Sequence, residues 1–155
     1  GYLHKDSSNP MPSLIKSLKH NVGNKGTILV WFESYEKSRN NEMAEIHPDS
    51  ASFFKQFNER IVDLMKPFSQ DMVKDEAFMG SSSIKKVLPA LVDNLAYSEL
   101  HIQDGGTASH RWKEVTLGDV SDTAAKKAYE DLEEYCKLDT LAMVEIHKHL
   151  ANLCR

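Results

Sequence analysis

"TILVW", residues 27–31, is the stretch that most constrains this chain. It is a run of β-formers without a polar residue at every second position. A strand with one wet face alternates. An unbroken run implies cover on both faces, as in a mostly parallel sheet flanked by helices. Gly23 and Gly26 precede it, and the polar, helix-prone "ESYEKSRNNEMAEIHP" follows, ending at Pro48. Strand followed at once by helix is the α/β order.

Most other segments read as helices. "NPMPSLIKSLKH" offers Asn9 or Ser8 as cap, Pro10 or Pro12 in the first turn, and a stripe of Leu14, Ile15 and Leu18. "DSASFFKQFNERIVDLM" is expected to be one helix capped by Asp49 or Ser50. Its apolar Phe53, Phe54, Phe57, Ile61 and Leu64 fit a 3.6-residue period. "KPFSQDMVKDEAFMG" reads as a short strand or loop. "SSSIKKVLPALV" reads as a helix starting at Ser82 or Ser83, which Pro89 shortens or kinks. Gly105-Gly106 marks a turn before a short helix over about 107–115. The longest helix covers "SDTAAKKAYEDLEEYCKLDTLAMVEIHKHLANLC". Its stripe runs Ala124, Ala128, Leu132, Tyr135, Asp139, Ala142, Ile146 and Leu150. The expected fold class is α/β, helix-rich, with a small central sheet.

The length of 155 residues suits a single domain, 1–155, with a real core. A net charge of −4 gives no global basic field, which argues against a purely electrostatic nucleic-acid binder. A nuclease stays open, because its metal site needs acids. Cys136 and Cys154 are 18 residues apart in one helical region, so two reduced thiols in a cytoplasmic protein are expected. No stretch approaches the roughly 20 apolar residues of a membrane span.

Tyr135 and Asp139 stand four apart, about one turn, on the apolar face of the last helix. A carboxylate there needs a partner. A structural ion pair or helix cap and a metal site are both open. Glu36 is a second acid, in the first turn or so of the helix leaving "TILVW". The carboxyl ends of strands are where α/β folds place their sites. Asp63 reads as structural rather than metal-binding. Ser81, Ser82, Ser83, Lys85 and Lys86 form either a phosphate-binding helix start or an ordinary capped helix with a solvated lysine pair. Trp31 and Trp112 read as packed, and Cys136 as a packed free thiol.

The pattern Tyr135-x-x-x-Asp139 resembles the third motif of the DEDD exonucleases, tyrosine subtype, of the DnaQ-like, RNase H-like superfamily. Tyr35-Glu36 in "VWFESYEKSRNNEMA" is similar to the aromatic–acid pair of their second motif. "GTILVWFESYEKSRNNEMAE", "NERIVDLMKPF", "GSSSIKKVLPAL", "IQDGGTA" and "YCKLDTLAMVEI" resemble, in order, a bacterial family of largely uncharacterised proteins whose C-terminal domain is predicted to be such an exonuclease. The resemblance spans residues 26–146.

It implies an incomplete RNase H-like fold and 3′–5′ cleavage at an end of DNA or RNA by a two-metal mechanism. Four carboxylates would hold two Mg²⁺ or Mn²⁺ ions. Glu36 and Asp139 would be metal ligands, Tyr135 would position the attacking water, and Ser82, Ser83, Lys85 and Lys86 would hold the nucleic acid. Two departures stand out. The Asp-x-Glu first motif is absent, so the chain is expected to begin after the first strands, to be inactive alone, and to expose a sheet edge for homo-oligomers. Phe32 replaces the family's usual asparagine, and a non-catalytic protein- or nucleic-acid-binding module is the alternative function.

Overall fold

The computed structural model describes residues 1–154. The chain folds as two compact units, residues 10–87 and residues 1–9 with 88 onward.

In the 10–87 unit, α1 (Pro10–Val22) leads through a glycine turn to β1 (Ile28–Val30). α2 (Glu33–Ile46), a 3₁₀ turn (Pro48–Ser50) and α3 (Ala51–Glu59) carry the chain back to β2 (Ile61–Asp63). β1 and β2 are parallel, with Ile28, Leu29 and Val30 opposite Ile61, Val62 and Asp63. Parallel partners need a long crossover, and α2 with α3 supplies it. The Ile28 amide donates to the Arg60 carbonyl, and the Leu64 amide to the Val30 carbonyl, both at 2.9 Å. Val30, Phe57 and Ile61 form the core, packed by Leu18, Val22, Ile28 and Phe53. So small a sheet is marginal alone, and this apolar cluster holds it. Between α2 and α3, buried Asn40 donates to Asn58 at 2.8 Å.

Ile61 and Leu64 are not on the helix expected for them. α3 ends at Glu59. Their spacing continues the helical period, but β1 needs a partner strand, and pairing satisfies its backbone. Ser50 stands at the N-cap of α3, yet its hydroxyl accepts from the Lys19 ammonium at 3.0 Å and caps nothing. The expected strand or loop after it contains α4 (Lys66–Ser69) and a 3₁₀ turn (Glu76–Phe78). Both are fixed by burial of Phe68 and Phe78, whose rings meet edge to face. α5 (Ile84–Leu91) carries the chain from one unit to the other, and ends two residues past Pro89.

The second unit contains a 3₁₀ turn (Tyr97–Glu99), α6 (Gly105–Leu117) and α7 (Asp122–Leu153). The glycine pair expected to form a turn instead opens α6. Asp104 caps it, accepting from the Thr107 amide at 2.8 Å. Ser121 caps α7. Residues 118–121 leave little room, so α7 doubles back on α6. Thr116 bonds Tyr129 at 3.0 Å, and Gly105 faces Tyr135. The buried stripe of α7 is Ala128, Leu132, Tyr135, Leu138, Ala142 and Ile146. Trp112 donates to the His4 carbonyl at 2.7 Å and Tyr129 to the Lys5 carbonyl at 3.2 Å, tying down the first residues.

The chain is thus a helix-rich α/β protein with a small, two-stranded parallel sheet. No helix among the described residues is long and apolar enough to cross a membrane.

Candidate functional site

At the carboxyl ends of β1 and β2, α2 begins and two acids of its first turn, Glu33 and Glu36, appear. The turn is held by Asp63. Its Oδ1 accepts from the Phe32 and Met65 amides at 3.0 and 2.9 Å, and its Oδ2 from the Glu33 amide at 2.9 Å. Asp63 is therefore the cap that α2 lacks within its own sequence, which matches the structural role expected of it. Phe32, the residue before α2, adopts φ 73°, and its ring is 50% exposed. Glu33 accepts from the Lys66 ammonium at 2.7 Å and from the Lys37 ammonium at 3.4 Å. Those bonds, Lys66 first, hold its carboxyl below the usual range. Glu36 is half-buried one turn before buried Asn40, and the exposed Tyr35 ring carries the Arg39 guanidinium at 5.4 Å. Trp31 stacks on Phe68 with ring centres 5.6 Å apart.

On α7, Tyr135 is buried and Asp139 half-buried one turn later. Asp139 Oδ1 accepts from the hydroxyl of Tyr97, which is 4% exposed, at 2.6 Å. The Tyr97 and Tyr135 rings lie 6.1 Å apart. Burial, and then the Asp139 carboxylate, pushes both phenols well above their ordinary range. Both therefore stay protonated and act as donors at neutral pH. No described lysine, arginine or histidine of the same unit forms an ion pair with Asp139. A Cβ at Gly105 would stand 3.8 Å from the Tyr135 hydroxyl, so that hydroxyl faces the start of α6. Cys136, expected to be packed, is exposed. It follows the buried Tyr135 and so turns to the other side of α7. Its thiol is nonetheless pushed up by partial desolvation and the charges of Asp139 and Glu133, which makes it a poor nucleophile.

Ser82 and Ser83 precede α5, and Lys85 and Lys86 stand exposed in its first turn, which holds no acid. Two cations at a helix N-terminus oppose the dipole, so that end concentrates positive potential. Among the described residues no group of three or more His, Cys, Asp or Glu is gathered to hold a metal ion.

Two features escaped the sequence. Tyr97 lies 42 residues from Asp139, in a weakly periodic stretch, and nothing local marks it. The pairing of Glu33 with Lys66 depends on the register of β1 and β2, which the helical reading of Ile61 hid.

No curated protein and no solved structure matches the chain. A family model described as a domain of unknown function, DUF2779, matches residues 1–83. That span includes Glu36, Ser82 and Ser83 and stops before Lys85, Lys86, Tyr135 and Asp139. The chain belongs to the DUF2779 family.

Proposed function

We propose that this chain carries part of a metal-dependent 3′–5′ exonuclease domain, of DnaQ-like, RNase H-like fold, acting in the cytoplasm on an end of DNA or RNA. The observation that carries the reading is Asp139. It is a half-buried carboxylate on an apolar helix face, bound by a neutral hydroxyl and beside a second phenol. A structural acid is met by a cation or, like Asp63, by several backbone amides. No ion pair to Asp139 is described in its own unit, and its side-chain partner at 2.6 Å is the Tyr97 hydroxyl. The hard oxygens of a carboxylate in such a place suit a divalent ion.

On the sequence resemblance, Glu36 and Asp139 are the ligands for Mg²⁺ or Mn²⁺. Their hard oxygens fit such ions. They would be two of the four carboxylates that the superfamily uses. A bound ion supplies Lewis acidity and a more acidic water. Tyr135, a hydroxyl donor at neutral pH, would orient a water there rather than take its proton. Ser82, Ser83, Lys85 and Lys86 hold the phosphate backbone at the positive end of α5. Each strand of a two-stranded sheet has one edge without a partner strand, and that is where copies would associate.

One observation favours the rival, a non-catalytic binding module. Phe32 presents an exposed ring where the family resemblance expects asparagine. A nuclease assay of the full-length protein with Mn²⁺, against Asp139→Ala, separates the two. Cleavage lost in the variant is the expected result. Absence of cleavage, or cleavage untouched by the substitution, overturns the catalytic reading.

A further inference from the structure

We propose that the exposed side of α7 is a dimer interface, on which a second copy of this chain lays its own α7 antiparallel about Leu141. The contact lies apart from the sheet edges and stands independently of the nuclease reading.

α7 turns one stripe inward and leaves the rest of its surface to solvent. There a groove of about 770 Å³ runs between residues 1–3 and the middle of the helix, with Tyr2, Leu3, Thr140, Leu141 and Val144 among its walls. Leu141 and Val144 are 37% and 45% exposed, an apolar spot within a charged surface.

The charges around that spot point to the occupant. Glu134, Lys137, Leu141, Glu145 and Lys148 follow one another by three, four, four and three residues. Steps of three and four keep them on one face. The spacing is the same from either end, while the sign of charge reverses. A second α7, antiparallel on a two-fold axis at Leu141, therefore sets Lys137 opposite Glu145 and Glu134 opposite Lys148. The two-fold makes each pair twice, and Leu141 meets its own copy on the axis. A parallel pairing in register would set every one of these charges against itself. Within one chain Lys148 already donates to Glu145 at 2.7 Å. Glu134 and Lys137 close no ion pair among the described residues. The copy extends the Glu145–Lys148 pair into a row of four alternating charges, the kind of flanking pairs that set orientation between helices.

The test is analytical ultracentrifugation of the full-length protein over a concentration series. The parent should dimerise. Lys137→Glu and Glu145→Lys should each weaken the dimer ~10-fold or more, because the two-fold repeats the like-charge contact. Neither residue is buried, so both variants should keep the parent's circular dichroism. An equimolar mixture of the two variants should restore the dimer, since each supplies the charge that the other now needs. A monomeric parent, its groove filled by another segment or by a different protein, overturns the proposal. A dimer untouched by Lys137→Glu places the contact elsewhere, the sheet edges included, and overturns it too. So do variants that stay apart when mixed.

A second measurement changes no charge. With Cys136→Ser and Cys154→Ser in place, Leu141→Cys should join two copies by a disulfide under copper-catalysed air oxidation, because a residue on the axis faces itself. Failure to cross-link at that position overturns the contact about Leu141.

Discussion

Asp63 closes the start of α2 by accepting the Phe32 amide at 3.0 Å. The same carboxylate takes the Glu33 and Met65 amides, and it is 6% exposed. Three backbone donors thus depend on one side chain from the neighbouring strand. Asp63→Ala leaves all three without that acceptor and should cost about 3 kcal/mol in urea unfolding. Asp63→Asn keeps one acceptor oxygen and turns an amide toward the other donor, for about 2 kcal/mol. An alanine variant within ~0.5 kcal/mol of the parent would show that the cap is dispensable.

The backbone at Phe32 is itself strained. Its φ of 73° lies in the left-handed region, which costs an ordinary residue roughly 1–2 kcal/mol. The ring is half exposed, so little burial is lost on replacing it. Asparagine tolerates this region, which gives a physical reason for the residue the resemblance expects there. Phe32→Asn should raise stability by about 1 kcal/mol, and Phe32→Val should lower it, because β-branching resists positive φ. Equal effects from the two would mean the conformation is not what matters.

These two residues show where the sequence is readable. "TILVW" announced β1 because a run of β-formers between a glycine turn and a polar helix has no better local reading. The expected cover on both faces is absent: Leu29 is half-buried and Val62, opposite it, is exposed. α7 was legible from Ser121 onward because cap and period agree over its length. β2 was not, since Ile61 and Leu64 sit four and seven residues after Phe57 and extend its helical period. Only the pairing with β1, a tertiary fact, turns them into a strand and its end. Tyr135 and Asp139 were found from one-turn spacing. Tyr97 was not, because hydrogen bonds between distant side chains leave no periodic trace.

Arg60 makes a similar long-range link at the other end of the sheet. Its guanidinium donates to the Lys25 carbonyl at 2.8 Å and to the Gly23 carbonyl at 3.0 Å. It thereby braces a turn in which Gly23 and Gly26 have φ of 62° and 84°. A lysine ammonium cannot reproduce a planar fork. Arg60→Lys should cost about 1.5 kcal/mol, and Gly26→Ala about 1 kcal/mol from positive φ alone. The double variant should cost less than the sum, since each change loosens the same turn. Strict additivity would separate Arg60 from the turn.

The buried phenols set an alkaline limit. Burial, then the Asp139 charge, raises the pKa of Tyr97 and Tyr135 in the folded protein. In the unfolded chain a tyrosine ionises near ~10. Above that pH the unfolded chain releases these protons first, so it binds fewer than the native state and stability falls as pH rises. Below it the contribution is fully present. The slope approaches ~1.4 kcal/mol per pH unit for each tyrosine. Lys66 and Lys127, raised by their bonds to Glu33 and Asp131, lose charge over the same range. The comparison that isolates the phenols is therefore parent against Tyr97→Phe/Tyr135→Phe, unfolded in urea from pH 8 to 11. The double variant should start less stable and decline more gently, and parallel curves would place the alkaline loss elsewhere.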